Sequence, residues 1–236
     1  MSNSLEKILK SANLECTSEQ LENFVIYKNM IQEWNKKINI TSITEDEEIY
    51  MKHFVDSIIV KNYFDMEKVN KMIDIGTGGG FPGIPLKIIN DGMEVTLLDS
   101  LNKRIIFLEE VVEVLGLENV DMIHGRAEDY GSNDEYREQY DLSISRAVAP
   151  LNILSEYCIP FVKVGGSFIS MKSGDVEKEI EESAKAFEIL GGRIKETIKY
   201  QLPGTDISRS IIIIEKFRDT PDKYPRKAGK PTKKPL

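Results

Sequence analysis

Cysteine, histidine and long apolar runs are what this sequence has least of. Cys16 and Cys158 form no C-x-x-C pair, and the only histidines, His53 and His124, stand apart from each other. That excludes a disulfide framework and any zinc-type ligand spacing; no metal is expected, and two free thiols suit a cytoplasmic location. The longest branched apolar run is the four isoleucines at 211–214, far short of the roughly 18 residues that a bilayer span needs, so no membrane partner is expected. The opening "MSNSLEKILKSANLECT" mixes polar and apolar residues without a continuous apolar core, and no signal peptide is expected.

Positive charge is scarce as well. The net charge is -8, which by itself argues against a nucleic-acid partner, because phosphate contacts need lysine and arginine. The distribution reverses that reading. Residues 216–236 hold eight basic and two acidic side chains, a local +6, which leaves -14 on the remaining body. Arg226 and Lys227 in this tail are candidate RNA contacts, against the alternative of a solubilising, disordered end. Its prolines and lysines argue against a packed core.

What is present reads as one α/β domain of ordinary soluble composition, 41% hydrophobic and 30% charged over 236 residues. Leu21, Phe24, Ile31 and Trp34 share a helical spacing behind Ser18, a candidate N-cap, and a second helical stretch covers 51–64. Residues 1–66 are therefore expected to form a helical extension packed on a main domain at 67–217, with 218–236 as the tail. From Lys71 strands and helices alternate, the signature of a parallel sheet with helices on both faces. Strands are expected near 72–75, 94–98, 119–123, 140–144 and 166–171. Leu101, Ile105, Leu108, Val112 and Leu115 form one helical stripe between Ser100 and Gly116, and a later helix runs from Asp175 to Gly191. Two strand-like runs at 193–202 and 207–217, separated by "PGTD", predict an antiparallel hairpin and seven strands in all.

The stretch "KMIDIGTGGGFPGIPLKI" at 71–88 is a strand, a glycine turn and a helix start, the general means of gripping a nucleotide cofactor. A dinucleotide turn would need a third small residue where bulky Phe81 stands, and Pro82 and Pro85 have no N–H to give a diphosphate. Gly76 and Gly78 open the turn. Asp74 lies on the strand, and Asp99, at the end of the next strand, is placed to accept from both ribose hydroxyls. A ribonucleoside with positive rather than phosphorylated groups fits best, and S-adenosylmethionine is the expected cofactor in preference to NAD. Asp74 has a second reading as a tie for the loop. In "RAED" at 126–129, Glu128 or nearby backbone can reach an adenine edge, or the acids can simply face a helix dipole. Arg146, after the fourth strand, is a donor to the cofactor, a phosphate anchor, or the partner of Asp74 or Asp141. Lys172, ending the fifth strand, is an RNA contact or a solvated lysine. Trp34 and His53 read as packing or hydrogen-bonding residues, with a place beside the substrate open to both.

"DIGTGGGFPGIPLKI", "LLDSLNKRIIFLEEV", "GRAEDY", "SRAVAPL" and "YPRKAGKPTKKPL", with "WNKKINITSIT" and "HFVDS" before them, together resemble the bacterial small-subunit rRNA guanine-N7 methyltransferases, the RsmG or GidB family. The resemblance spans nearly the whole chain. It implies a class I methyltransferase fold (Rossmann-like, α/β), S-adenosyl-L-methionine as donor, and 16S rRNA or the small ribosomal subunit as partner, methylated at one guanine N7. By motif, the family's cofactor contacts fall on Gly76, Phe81, Ala127, Glu128 and Arg146. Gly79 stands where the family often has alanine, and Lys230 where its tail often has threonine. A monomer is favoured.

Guanine N7 carries a free lone pair at neutral pH, so no essential general base is expected. Orientation alone can supply about 7–11 kcal/mol. The chain lacks the Asn/Asp-Pro-Pro-aromatic motif of amino-group methylation, and Cys158 in "EYCIP" reads as a small core residue rather than a nucleophile. The rival classes are an NAD-dependent oxidoreductase and a noncatalytic RNA-binding assembly protein.

Overall fold

The computed structural model describes residues 2–146 and 148–236. Seven strands form one sheet in the order β3-β2-β1-β4-β5-β7-β6. They are β1 (Lys71–Ile75), β2 (Glu94–Asp99), β3 (Val120–His124), β4 (Tyr140–Arg146), β5 (Val162–Ser173), β6 (Gly192–Gln201) and β7 (Ser208–Lys216). The first five are mutually parallel; β7 runs antiparallel to β5 and to β6. The chain reverses direction after β1, stepping first to β2 and β3 and then across to β4, and ligands of such sheets gather at that switch.

Side-chain alternation sorts the strands between two cores. In β7, Ile211 and Ile213 enter one core and Ile212 and Ile214 the other, so the isoleucine run is an interior strand buried on both faces. The first face is covered by α1 (Ser2–Ser11), α2 (Ser18–Asn35), the helical run that follows, α5 (Gly83–Ile89) and α6 (Asn102–Leu115). The second is covered by α7 (Ala127–Tyr130), α8 (Leu151–Cys158), α9 (Glu177–Leu190) and the tail through Tyr224.

The helical run before the sheet is irregular. It comprises α3 (Asp46–Ile49), a π-helical turn (Tyr50–Val55), α4 (Asp56–Ile58) and a 3-10 turn (Ile59–Asn62). π-turns of this kind re-aim side chains and are frequent at functional sites. An aromatic cluster joins this preface to the sheet domain: Phe54 stacks on Tyr27 at 5.2 Å and lies 6.2 Å from Phe81, and Trp34 lies 5.6 Å from Phe107.

Several local expectations are corrected. Thr17, not Ser18, caps α2, in a reciprocal capping box with Gln20. Ser100 does not cap α6; the helix begins at Asn102, and Asp99 Oδ1 accepts from the Leu101 N–H at 2.9 Å. Leu101, the residue before α6, is exposed, and on the helix Phe107 and Val111 are buried as well, because it packs against both α2 and the sheet. The later helix starts at Glu177 rather than Asp175, though Gly191 ends it at φ 85° as expected. The tail is packed: Thr220, Tyr224, Pro225 and Pro231 are buried, and α10 (Lys230–Lys233) lies against α8. Two of its four prolines, Pro225 and Pro231, are buried against the second face, while Pro221 and Pro235 stay exposed.

Candidate active site

The glycine turn between β1 and α5 uses nearly all of its N–H groups internally. Gly76 and Thr77 donate to the Leu98 carbonyl at 2.8 and 3.1 Å, Gly80 and Phe81 to Thr77 at 2.9 Å each, and Ile84 to Gly80 at 2.8 Å. Gly78 donates to Asp99 Oδ2 and Gly83 to Asp74 Oδ2, at 2.9 and 2.8 Å. Pro82 and Pro85 have none to give. No row of free donors is left for a diphosphate. Gly80, at φ 92°, is obligatory, since a Cβ there would meet Tyr27 Oη at 2.5 Å. The same Tyr27 hydroxyl donates to the Gly79 carbonyl, so the preface fixes the turn directly.

Two carboxylates brace the turn differently. Asp74 lies fully buried beneath it, accepting from Thr77 Oγ1 at 2.7 Å and from Gly83, while its Oδ1 has no partner among the described residues. Burial pushes its acid up to about 7, against the pull of Thr77, Gly83 and Arg146, with Asp99 adding to the rise. Asp99, 2% exposed, faces the cavity from the end of β2 and also receives Arg104 Nη1 at 3.1 Å.

The cavity, of about 680 Å³, opens at the carboxyl ends of β1, β2, β4 and β5. One half is walled by the glycine turn, Asp99, Ser100 and Arg104; the other by Lys52, His53 and Asp56 of the preface with Arg146, Lys172 and Arg209 of the sheet. His53 stacks on Phe81 at 4.4 Å with the rings 8° from parallel, and shares a hydrogen bond with Thr41 Oγ1 at 2.7 Å. Burial, then the neighbouring Arg146 and Lys52, hold its imidazole down at about 3, so it is neutral at working pH. Arg146 lies beside this histidine, its Nη2 3.5 Å from His53 Nδ1 and its guanidinium 5.2 Å from the Phe81 ring centroid. Its Nη1 donates to the carbonyls of Lys52 and His53 and to Asp56 Oδ2 at 3.2 Å. The salt bridge expected to Asp74 or Asp141 is therefore made to Asp56 instead.

Of the residues expected from sequence, Gly76, Gly78, Phe81, Asp99, Arg146 and Lys172 are brought to this one cavity. Asp74 supports it from below. Ala127 and Glu128 begin α7 outside its walls, and the Glu128 carboxylate is taken by the tail, accepting from the Gly229 N–H at 2.9 Å. Lys172 is not a solvated lysine; its ammonium is held by Glu179 at 2.6 Å and the Ala149 carbonyl at 2.5 Å. Arg226, expected to face phosphate, is instead paired through Nε and Nη2 with fully buried Glu156, because that carboxylate on α8 has to be neutralised. Lys227 is exposed on the tail, away from the cavity. Sequence reasoning missed Lys52, Asp56, Arg104 and Arg209. The available signals were an aspartate inside the apolar "HFVDSIIV" and an arginine opening a strand of isoleucines.

A sheet in this strand order, its last pair antiparallel, with a cavity over the switch between β1 and β4, is the architecture of class I methyltransferases. Solved structures agree on the fold. M. jannaschii TYW2 in complex with AdoMet matches with TM-score 0.51 at 17% identity, over 62% of this chain and 69% of that one. The mitomycin 7-O-methyltransferase MmcR matches with TM-score 0.54 at 14% identity, over 69% and 53%.

The GidB family model, rRNA small subunit methyltransferase G, matches residues 20–207, and the chain belongs to that family. The ribosomal RNA small subunit methyltransferase G of Clostridium tetani is 56% identical over 90% of this chain and 89% of its own length. That of Alkaliphilus oremlandii is 50% identical over 98% and 99%.

Proposed function

We propose that the protein transfers a methyl group from S-adenosylmethionine to the N7 of one guanine in 16S rRNA. The observation that carries the cofactor assignment is the accounting of turn N–H groups: a pocket with a ribose-facing carboxylate, Asp99, and no free donor row suits a cationic nucleoside and rejects a dinucleotide diphosphate. Family membership and relatives bearing the rRNA methyltransferase name carry the assignment of the nucleic acid. When bound, the cofactor supplies an electrophilic sulfonium methyl. Asp99 holds the ribose hydroxyls, the glycine turn lets the nucleoside lie against backbone, and Arg146 offers its guanidinium to the amino-acid carboxylate. Phe81 and His53 form a stacked floor that keeps water from one side of the reacting pair.

The choice of N7 rests on what the cavity's groups can do. His53 is too weak a base to take a proton, Asp56 is occupied by two arginines, and Asp74 lies under the turn. Such a site suits a nucleophile that arrives with its lone pair free and needs only alignment. Lys172 at the cavity and Lys227 on the tail are RNA contacts in this reading, and Ala127 and Glu128, at the start of α7 beyond the cavity walls, are left a backbone contact to the adenine edge while the Glu128 carboxylate stays with the tail.

Labelled methyl transfer to 16S rRNA from a strain lacking the modification, followed by chemical cleavage selective for N7-methylguanine, is expected to give one cut. Label on a ribose hydroxyl, an exocyclic amine or no RNA at all would refute the assignment. If replacing a single cavity carboxylate abolished turnover while both affinities held, the absence of a general base would be refuted separately.

A further inference from the structure

Asp56 is 3% exposed where the preface meets β4 and β7, and it holds two guanidinium groups at once. Arg146 Nη1 lies 3.2 Å from its Oδ2, and Arg209 Nε lies 3.0 Å from its Oδ1. Among the described residues Asp56 is the one carboxylate within salt-bridge reach of either guanidinium, so a single anion serves two cations on the cavity wall. The other cations there each have a carboxylate of their own: Lys52 with Glu48, Arg104 with Asp99, Lys172 with Glu179. Burying two cations against a single anion is costly unless a third partner arrives.

The two arginines face different ways. Arg146 is taken up by preface carbonyls and the Phe81 ring, beside the glycine turn. Arg209 is one-fifth exposed; its Nη1 has only a 3.4 Å contact to the Ser208 carbonyl, and its Nη2 has no partner among the described residues. It lines both the main cavity and a second depression of about 380 Å³, bordered by Gly174, Tyr200 and Ser208. Arg209 thus stands in the gap between the two, with its outer nitrogens open in the fork that matches two phosphate oxygens.

We propose that Arg209 binds a phosphodiester of the substrate strand next to the target nucleotide, that the strand continues from the cavity into the second depression, and that Asp56 is the positioning residue holding this guanidinium. This rests on the RNA-methyltransferase reading above. The test measures binding of 16S rRNA across a salt series, binding of S-adenosylmethionine by calorimetry, and steady-state transfer. The proteins are the wild type, Arg209→Ala, Arg209→Lys and Asp56→Asn, each checked for folding by thermal unfolding.

Arg209→Ala is expected to weaken rRNA binding and raise KM for rRNA about tenfold, and to flatten the slope of log K against log salt by about one. Cofactor affinity should stay within about twofold. Arg209→Lys should recover the salt slope and only part of the affinity, since a point charge replaces a fork. Asp56→Asn, which releases both guanidiniums, should raise KM for rRNA and weaken cofactor binding together. An unchanged salt slope in Arg209→Ala, or equal losses of cofactor and rRNA, would overturn the subsite. A wild type that binds rRNA without methylating it would sink the functional reading instead, and the slope would still decide the phosphate contact.

Discussion

The two ends of the chain are anchored on opposite faces of the sheet, yet only one of them builds the cavity. The preface sends Lys52, His53 and Asp56 into the site and fixes the glycine turn through Tyr27. The tail fastens itself to α7 and α8 through Gly229 on Glu128 and Arg226 on Glu156, outside the cavity walls. Two chain ends anchored to the same sheet thus do different work: one completes the cavity, and the other is a clasp over the second core. A basic sequence at a chain end does not by itself mark the substrate side.

The comparison breaks most visibly at Phe54. Phe54→Ala removes a fully buried ring that stacks on Tyr27 and lies near Phe81, and should cost about 3–5 kcal/mol in urea unfolding. Methyl transfer per folded molecule should fall with it, because the Tyr27 hold on the turn loosens. Arg226→Ala strands the buried Glu156 carboxylate and should cost about 3 kcal/mol. Here transfer per folded molecule should stay near wild type. If it fell as far as in Phe54→Ala, the tail would belong to the site after all.

A smaller effect lies in pH. The folded protein keeps a proton on Asp74 up to about 7 that an unfolded aspartate loses near 3.8, so the stability from this group declines as pH rises through that window. His53 behaves oppositely: unfolded it takes a proton below 6.5, folded it resists until about 3, so stability is lost as pH falls. The two slopes oppose each other between about pH 4 and 6.5. Asp74→Asn should therefore uncover stability that rises with pH by about 1.4 kcal/mol per unit, and His53→Gln the reverse slope. Lys227→Gln, in the tail but apart from the Arg226–Glu156 pair, should leave the profile's shape alone. Urea titrations at several pH values would separate these outcomes, and a tail variant that altered the slope would again blur the two ends.

The smallest expected effect comes from neutralising the exposed tail lysines Lys227, Lys230, Lys233 and Lys234 while keeping the Arg226 clasp. Stability and cofactor affinity should not change measurably, and rRNA binding should lose salt dependence in proportion to the phosphates released. An unaltered salt slope would leave the tail as a clasp only.

Much of the fold was legible because local pattern carries it. The strand positions followed from short apolar runs alternating with helical stretches and the breaks between them, and Gly116 and Gly191 ended α6 and α9 where a left-handed residue was called for. Cap assignments slipped by a residue or two, at Thr17 and Leu101, since neighbouring polar residues compete for the same N–H groups. The cavity was half legible. Gly76, Gly78, Phe81 and Asp99 sit on one strand–turn–helix unit and the strand beside it. Asp56 and Arg209 are 153 residues apart, and no spacing rule joins them.

The sequence by itself determined the strand–turn–helix unit, its shortage of N–H donors and the place of Asp99, because these follow from backbone chemistry within a few residues. Only the tertiary structure decided that the preface completes the cavity, that Arg226 is spent on Glu156, and that Arg146 and Arg209 share Asp56. Those outcomes depend on which buried charge must be neutralised by which distant one, and that is settled when the helices close on the sheet.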